Sequence, residues 1–135
     1  MDITKTLDLS ARGMTAQSAR LRVIAENIAN SSTMAETPGG DPYRRQTVVF
    51  ANTLDRTLGM TAVSVSRVTQ DKSAFPRRYE PGNPAADATG FVKTPNVNSF
   101  VEIMDMKEAQ RSYTENLNVM ETTRGIISRT VDLLR

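Results

Sequence analysis

The carboxylates that come closest to a chemical site are Glu102, Asp105 and Glu108, which follow one another at a spacing of three residues. On a helix this spacing places side chains on one side, where carboxylates can bind a metal ion or act as an acid–base pair. The same residues lie in the first turns of a predicted helix, where negative charge offsets the partial positive charge of the helix N-terminus. We favour this second interpretation. Asp71, Glu80 and Asp87 lie in predicted loops with no converging partner.

The chain has neither cysteine nor histidine. This removes thiol nucleophiles, disulfides, imidazole catalysis and most zinc sites. The run GGDPYRR lacks the strand-to-helix context and the Lys-Ser/Thr pair of a phosphate-binding loop, and no GxSxG motif occurs. We therefore predict no catalytic residue, no cofactor and no metal site, and a protein that is not an enzyme.

The net charge of +2 is small, and the only basic doublets are Arg44-Arg45 and Arg77-Arg78. Short basic runs are weak signals. We interpret both doublets as solvated strand ends and predict no nucleic-acid partner. The N-terminal run MDITKTLDLSARGM has no apolar core of a cleavable signal, and no stretch approaches the ~20 apolar residues that span a bilayer. These features alone indicate a soluble cytoplasmic protein.

The first segment, residues 1–30, carries an apolar residue at every seventh position, and the row between is mostly small. Such a period predicts a helix that packs along another helix. Residues 98–135 repeat the pattern in two rows, and Ser99 three residues before Glu102 predicts a capping box at the start of the second helix. Gly125 interrupts this helix and is interpreted as a close helix contact.

Residues 44–97 are interpreted as a small β subdomain. RRQTVVF and TAVSVSRV are rich in β-branched residues, GFVK is a further short strand, and the prolines of FPRRYEPGNP allow only a short edge strand and turns. The seam, residues 31–43, is soft, polar and rich in glycine and proline. Its composition suits a hinge between the first helix and the β subdomain, although an ordinary surface loop has the same composition.

These elements predict an α+β, mainly α fold with an antiparallel pair of long N- and C-terminal helices and a small central β subdomain. The apolar rows exceed what so small a β unit can cover, so we expect an assembly interface. A self-contained helical hairpin with a β appendage remains open, since heptads specify pairing but not the identity of the partner. The predicted interface residues are Leu7, Met14, Leu21, Ile24, Ile28, Ile103, Met106, Tyr113, Leu117, Met120, Ile127, Val131 and Leu134.

Two runs resemble a known family. ENIAN at the end of the first helix, followed by YRRQTVVF, is similar to the N-terminal signature of bacterial flagellar axial proteins, which include rod and hook components. The run YEPGNPAADATGFVKTPNVN, with EAQRSYTENLNVM after it, resembles the proximal-rod branch of that family. The residues that carry the resemblance are Asn27, Ile28, Ala29, Asn30, Tyr43, Arg44, Tyr79, Pro81, Gly82, Pro84, Asp87, Gly90, Pro95, Asn96 and Val97.

The resemblance implies a non-enzymatic structural subunit of the proximal rod, assembled into a helical structure that transmits torque. Its partners would be other copies of itself, other proximal and distal rod proteins, and the flagellar type III export apparatus. It would be exported without a cleaved signal peptide to the periplasmic rod of the basal body, which replaces the cytoplasmic expectation. The alternative is a soluble coiled-coil adaptor or chaperone, which would use the same heptads but would not need the YEPGNPAADATGFVKTPNVN run.

Overall fold

The computed structural model describes residues 3–56 and 59–134, with two long helices that flank four strands. The strands form two separate antiparallel sheets of two strands each, β1 with β2 and β3 with β4. This arrangement confirms the predicted mainly α, α+β fold. The elements in chain order are α1 (Ile3–Ala29), β1 (Gln46–Asp55), β2 (Met60–Gln70), β3 (Arg77–Tyr79), β4 (Phe91–Lys93) and α2 (Ser99–Leu133).

The two helices pack side by side in opposite directions. Asn27 near the end of α1 contacts Glu102 near the start of α2, and Gly13 in the middle of α1 adjoins Asn116 in the middle of α2. Residues with higher numbers in α1 therefore lie beside residues with lower numbers in α2. At about 1.5 Å per residue α1 is ~40 Å long and α2 is ~52 Å long, so the C-terminal part of α2 extends past the start of α1.

The start of α2 differs from the predicted capping box. Asn98 is the N-cap residue, and its side chain accepts hydrogen bonds from the backbone N–H groups of Phe100 and Val101. Ser99 is already the first helical residue. The predicted capping box is wrong because the Glu102 carboxylate bonds to residues outside α2 instead of returning to the backbone at the start of its own helix.

The β1–β2 hairpin lies along α1 and is attached near both ends. The Asn27 side chain bonds the backbone of Gln46 at the start of β1, and Arg12 forms an ion pair with Asp55 at its end, 2.7 Å apart. The pairing register shifts between Val49 and the next residue of β1, as at a β-bulge. A two-stranded hairpin is marginally stable by itself in water, so α1 supplies the support that it needs.

The β3–β4 sheet is short, and the connection between its strands, residues 80–90, ends in a turn in which Gly90 donates to the carbonyl of Asp87. The rings of Tyr79 and Phe91 meet edge to face, with centroids 5.3 Å apart. Gly90 has a φ of +82°, and a Cβ at this position would lie 2.9 Å from the Tyr79 ring. The Asp87 carboxylate accepts hydrogen bonds from the backbone N–H groups of Thr89 and Phe91. Residue 90 must therefore be a glycine for both conformational and steric reasons.

The buried apolar side chains are mostly small, and large ones contribute little to the core. Small residues let α1 and α2 approach closely, and the close contact occurs at Gly13, where an added Cβ would lie 2.9 Å from the Asn116 side chain. A Cβ added at Gly125 would meet no neighbouring group within 4 Å, so the predicted close contact at this residue is wrong. The buried apolar residues are Ala16, Val23, Ile24, Ala62, Ala85, Val92 and Ala109.

Candidate assembly interface

A buried polar cluster joins the end of α1, the start of β1 and the start of α2. Its centre is Asn27, which is only 1% exposed. The Asn27 amide nitrogen donates to the Gln46 carbonyl at 2.8 Å and to the Glu102 carboxylate at 3.1 Å. Its oxygen accepts from the Gln46 backbone N–H and from the Tyr43 hydroxyl, both at 2.9 Å. One side chain therefore connects three elements that are distant in sequence.

Glu102 is the only carboxylate among the fully buried side chains of the described part of the chain. Arg45 donates to it at 2.5 Å and also lies 3.6 Å from Asp71 and 3.8 Å from Asp105. Burial acts to lower the pKa of Arg45, but the hydrogen bond and the attraction of Glu102 outweigh it and raise the pKa above its usual value. A buried carboxylate is tolerated where it is paired and hydrogen-bonded, and here both conditions hold.

These contacts extend one sequence-based interpretation and correct another. Glu102 lies in the first turn of α2 as expected, and it is also bound by Asn27 and Arg45. Arg45 is not a solvated strand end, because its side chain is only 21% exposed. Its neighbour Arg44 lies over the Phe75 ring, 4.1 Å from the centroid, and donates to the backbone carbonyl of Asp71. Arg45 thus holds the start of β1 to the start of α2 through ionic contacts, and Arg44 holds it to the segment after β2 through hydrogen-bonding and cation–π contacts.

The Asn96 side chain extends the same cluster into the segment before α2. Its oxygen accepts from the Arg45 backbone N–H at 2.8 Å, and its nitrogen donates to the Ser73 hydroxyl at 2.9 Å.

Burial raises the pKa of the Tyr43 hydroxyl, and the nearby charge of Glu26 and Glu102 raises it further. Tyr43 therefore remains a protonated donor to Asn27 across the neutral pH range.

Four residues of the family motif thus have structural roles in one cluster, which we call the polar node: Asn27, Tyr43, Arg44 and Asn96, together with Arg45 and Glu102. The β3–β4 turn accounts for a second group of motif residues, Tyr79, Asp87 and Gly90, through the contacts described above. Pro95 is buried, and Ile28, Asn30 and Val97 are half-buried. The motif residues that are exposed are Ala29, Pro81, Gly82 and Pro84.

The predicted interface residues differ in how much of their surface the single chain covers. Ile24 is buried, and most of the others are half-buried. Ile103, Val131 and Leu134 are exposed at 44%, 54% and 84%. The half-buried members are Leu7, Met14, Leu21, Ile28, Met106, Tyr113, Leu117, Met120 and Ile127.

A neighbouring row of residues also makes direct contacts between the helices. Gly13, Arg20 and Asn27 on α1 contact α2, and each precedes a residue of the predicted apolar row by one position. On α2 the corresponding row is Glu102, Ala109, Asn116 and Thr123, spaced by seven and mostly buried. Sequence reasoning missed this row because only Ala109 in it is apolar.

Large apolar side chains are exposed at the two ends of α2. Phe100 and Met104 are exposed at 72% and 53% near its start, and Leu133 is exposed at 87% near its end. These residues were not among those predicted from the heptads, because they lie outside the two rows. Clusters of exposed apolar side chains mark interaction surfaces. The apolar residues in the runs SFVEIM and VDLL could have indicated these surfaces from the sequence.

Metal-holding clusters and membrane-spanning helices are both absent from the part of the chain that the structure describes. No group of three or more acidic side chains there is arranged to hold a metal ion. Among the described helices, neither combines the length and the apolar character needed to cross a membrane.

Comparison with known proteins identifies the family. Residues 7–34 match the family described as "Flagella basal body rod protein", and residues 88–133 match "Flagellar basal body rod FlgEFG protein C-terminal". The flagellar basal-body rod protein FlgC of Agrobacterium fabrum is 48% identical over 127 residues, which cover 94% of this chain and 91% of that protein. The FlgC proteins of Escherichia coli O6:H1 and Bacillus subtilis are 37% and 33% identical, with at least 95% of each chain covered.

The fold, the exposed apolar surfaces and these relatives define a structural subunit of the bacterial flagellar basal-body rod. The adaptor or chaperone alternative is therefore set aside. Within this class, the chain belongs to the FlgC family of flagellar basal-body rod proteins.

Proposed function

We propose that this subunit forms part of the proximal rod, where it polymerises into a helical array that transmits torque and has no catalytic role. The observation that carries the proposal is the set of apolar side chains exposed at the end of α2, with Leu133 at 87% and Leu134 at 84%. A heterologous contact that does not close into a ring generates a helical assembly. The predicted interface residues on both helices would be covered further by neighbouring subunits.

The partners in this proposal are other copies of the chain and other proximal and distal rod proteins. Subunits would reach the periplasmic part of the rod through the flagellar type III export apparatus, without a cleaved signal peptide. The family resemblance supports this route, and a sequence without cysteine suits assembly in an oxidising compartment. Folding of the helix ends would be completed by assembly, when segments that order on binding become covered.

The seam, residues 31–43, has a role in this proposal as a hinge of limited range. Its later part is attached to the β region, because Gly39 donates to the carbonyl of Ala85 at 3.1 Å and Asp41 pairs with Lys93 at 2.8 Å. The freedom would then reside in residues 34–38. Replacing Ser31, Ser32 and Thr33 together by Ala should leave rod assembly nearly intact, whereas deleting residues 31–36 should impair it. The reverse result would mean that the hydrogen bonds of the Ser31 and Thr33 hydroxyls to the end of α1 matter more for assembly than the length of the seam.

The experiment that tests the assembly role is the substitution Leu134→Asp in the living bacterium. A charge in an apolar contact costs several kcal/mol when it is left unpaired, so rod assembly and swimming should be lost. Because Leu134 is exposed in the single chain, the export and folding of the monomer should be unchanged. Ser128→Asp is the matched control, since it adds the same charge at an exposed polar position of the same helix end.

The secreted protein is measured in both strains, so that an export defect is distinguished from an assembly defect. Normal swimming of the Leu134→Asp strain would contradict the proposed use of this surface. Loss of swimming in the Ser128→Asp strain as well would show that any added charge at this end is harmful, and would remove the case for an apolar contact.

A further inference from the structure

The apolar rows of the two helices do not by themselves determine how far along α1 the second helix docks. Residues of similar type recur every seven positions in both helices, so a slip of one heptad matches apolar side chains with apolar side chains again. At about 1.5 Å per residue, such a slip moves α2 by ~10 Å along α1. Some feature that does not repeat must therefore select one register. In coiled coils, a single buried polar residue in the apolar seam has this effect.

The contact row on α2 has this property, because its four members are chemically different. Glu102, Ala109, Asn116 and Thr123 follow one another at a spacing of seven. Glu102 is 0% exposed and meets Asn27, which is 1% exposed. A slip in one direction would place Ala109 opposite Asn27 and leave the amide without its carboxylate.

The middle of the helix pair adds a steric requirement. Asn116 lies against Gly13, and a Cβ on residue 13 would come within 2.9 Å of its side-chain oxygen. A slip in the direction that puts Ala109 beside Asn27 would place Asn116 beside Arg20, where a long side chain fills the space. The opposite slip would move Glu102 toward Arg20 and separate it from both Asn27 and the fixed position of Arg45.

We propose that Asn27 is a positioning residue that selects the register of the helix pair through its hydrogen bond to Glu102. Its amide also bonds both backbone groups of Gln46, so the same side chain sets where the β1–β2 hairpin begins. Arg45 then supplies the charge that makes burial of Glu102 possible. Helix register and hairpin position are thereby decided together.

In a rod built from many similar helices, such a contact would favour the pairing of α1 with its own α2 over pairing with a neighbour. This consequence depends on the proposed function, but the register itself does not. The test therefore uses the purified, full-length monomer, so that a failure of the proposed rod assembly leaves it unaffected.

Cysteine pairs can report the register, because the chain has no cysteine of its own. Arg20→Cys with Asp105→Cys reports the observed register, in which the two side chains are 3.5 Å apart. Arg20→Cys with Val119→Cys reports a slip of one heptad in one direction, because Val119 is ten residues from the position that faces Arg20 in the observed register and three residues from it after the slip. Thr6→Cys with Ser112→Cys reports the opposite slip. Each pair is treated with a short bismaleimide, and the intramolecular product is quantified by mass spectrometry.

With Asn27 present, the first pair should cross-link strongly and the two slip reporters weakly. Asn27→Ala should reduce the ratio of observed to slipped product on the order of tenfold, as expected for the loss of a hydrogen bond to a charged group. Asn30→Ala is the matched control, because Asn30 belongs to the same motif but bonds only locally, to the Glu26 carbonyl and the Thr33 hydroxyl. Its ratio should not change.

The double variant Asn27→Leu with Glu102→Leu keeps the experiment decisive if Asn27→Ala does not fold. It replaces the polar contact by an apolar one. The two leucines still favour pairing of the helices, but the contact that selects the register is removed. Slipped products should then appear at a level similar to that of the observed register. If a folded variant keeps the observed register alone, the proposal is wrong. If circular dichroism shows that both variants are unfolded, the contact supplies stability and not register, which also overturns the proposal.

Discussion

The two ends of the helix pair are built on different principles. At the end where α1 stops and α2 starts, the polar node satisfies Asn27, Arg45 and Glu102 with partners from three elements. At the other end, α2 extends past α1 and carries Leu133 and Leu134 exposed at 87% and 84%.

The difference separates the parts of the subunit that complete its own fold from the parts that are open to neighbours. Hydrogen bonds in the polar node have demanding geometry and must be satisfied within the chain. The hydrophobic effect is non-directional, so exposed apolar surface can be covered by any partner of complementary shape. The end with the polar node also exposes Phe100 and Met104, so only its internal contacts are completed by the chain itself. A subunit with one internally specified cluster and apolar surface open at both ends suits a structure that grows by addition of copies.

The largest effect is expected from Arg45→Leu, which removes the charged partner of a fully buried carboxylate. Breaking a buried ion pair in this way typically costs about 3–5 kcal/mol, measured as the free energy of unfolding in urea. Arg78→Leu is the control, since Arg78 pairs with Glu80 but its side chain is 60% exposed, and such pairs contribute at most about 1 kcal/mol. Equal losses in the two variants would contradict the distinction between the polar node and the surface.

The second effect concerns amide exchange in the free monomer. We expect slow exchange around Glu102 and Ala109, where α2 is covered, and fast exchange at the end of α2, where side chains have few neighbours. The start of α1 should also exchange fast, and the β region between them more slowly. Protection factors that differ by an order of magnitude or more along α2 are typical of such contrasts. Uniform protection along both helices would instead support a closed helical hairpin.

The third prediction compares two helical glycines. Gly13→Ala places a Cβ 2.9 Å from the Asn116 side chain, so the helices must shift or Asn116 must move. Gly125→Ala meets no neighbouring group within 4 Å, and alanine in a helix interior is favoured over glycine by up to about 1 kcal/mol. Thermal unfolding should therefore show Gly125→Ala more stable than the parent and Gly13→Ala less stable than Gly125→Ala by about 1 kcal/mol or more. The opposite order would mean that Gly13 is not a close contact between the helices.

The smallest effect is a pH dependence that belongs to the end with the polar node. Hydrogen bonds from Ser73, and then the charge of Arg45, lower the pKa of Asp71 below its ordinary value. Because the folded-state pKa is depressed, the stabilisation is present above the unfolded pKa of about 3.9 and is lost as the pH falls through the folded value. Asp71→Asn cannot titrate, so its free energy of unfolding should decrease less than that of the parent between pH 5.5 and pH 3. Parallel pH profiles would show that Asp71 does not contribute to this dependence.

Much of the fold could be predicted because the decisive signals are local. The heptads indicated both helices, the β-branched runs indicated β1 and β2, and the GFVK run predicted β4. The mainly α, α+β architecture and the family resemblance followed from these patterns. The candidate interface was predicted only as two apolar rows, and its membership stays a proposal for the assembled rod.

The errors concern contacts between residues far apart in the chain. Ser99 and Glu102 fit a local capping rule, but Glu102 is bound by Asn27 and Arg45, which lie 75 and 57 residues before it. Gly125 is a small residue of the kind found where two helices pack closely, yet the close contact between the helices occurs at Gly13. A local pattern reports which backbone a segment prefers, and it contains no information about which distant group arrives beside it.

By itself, the sequence determined the secondary structure, the antiparallel helix pair and the family, because periodicity, propensity and motif spacing act over a few residues at a time. Only the tertiary structure decided which row of each helix faces the other and why a buried carboxylate is stable there. That decision depends on packing and electrostatics in three dimensions, where one arginine and one asparagine from separate elements meet the same carboxylate.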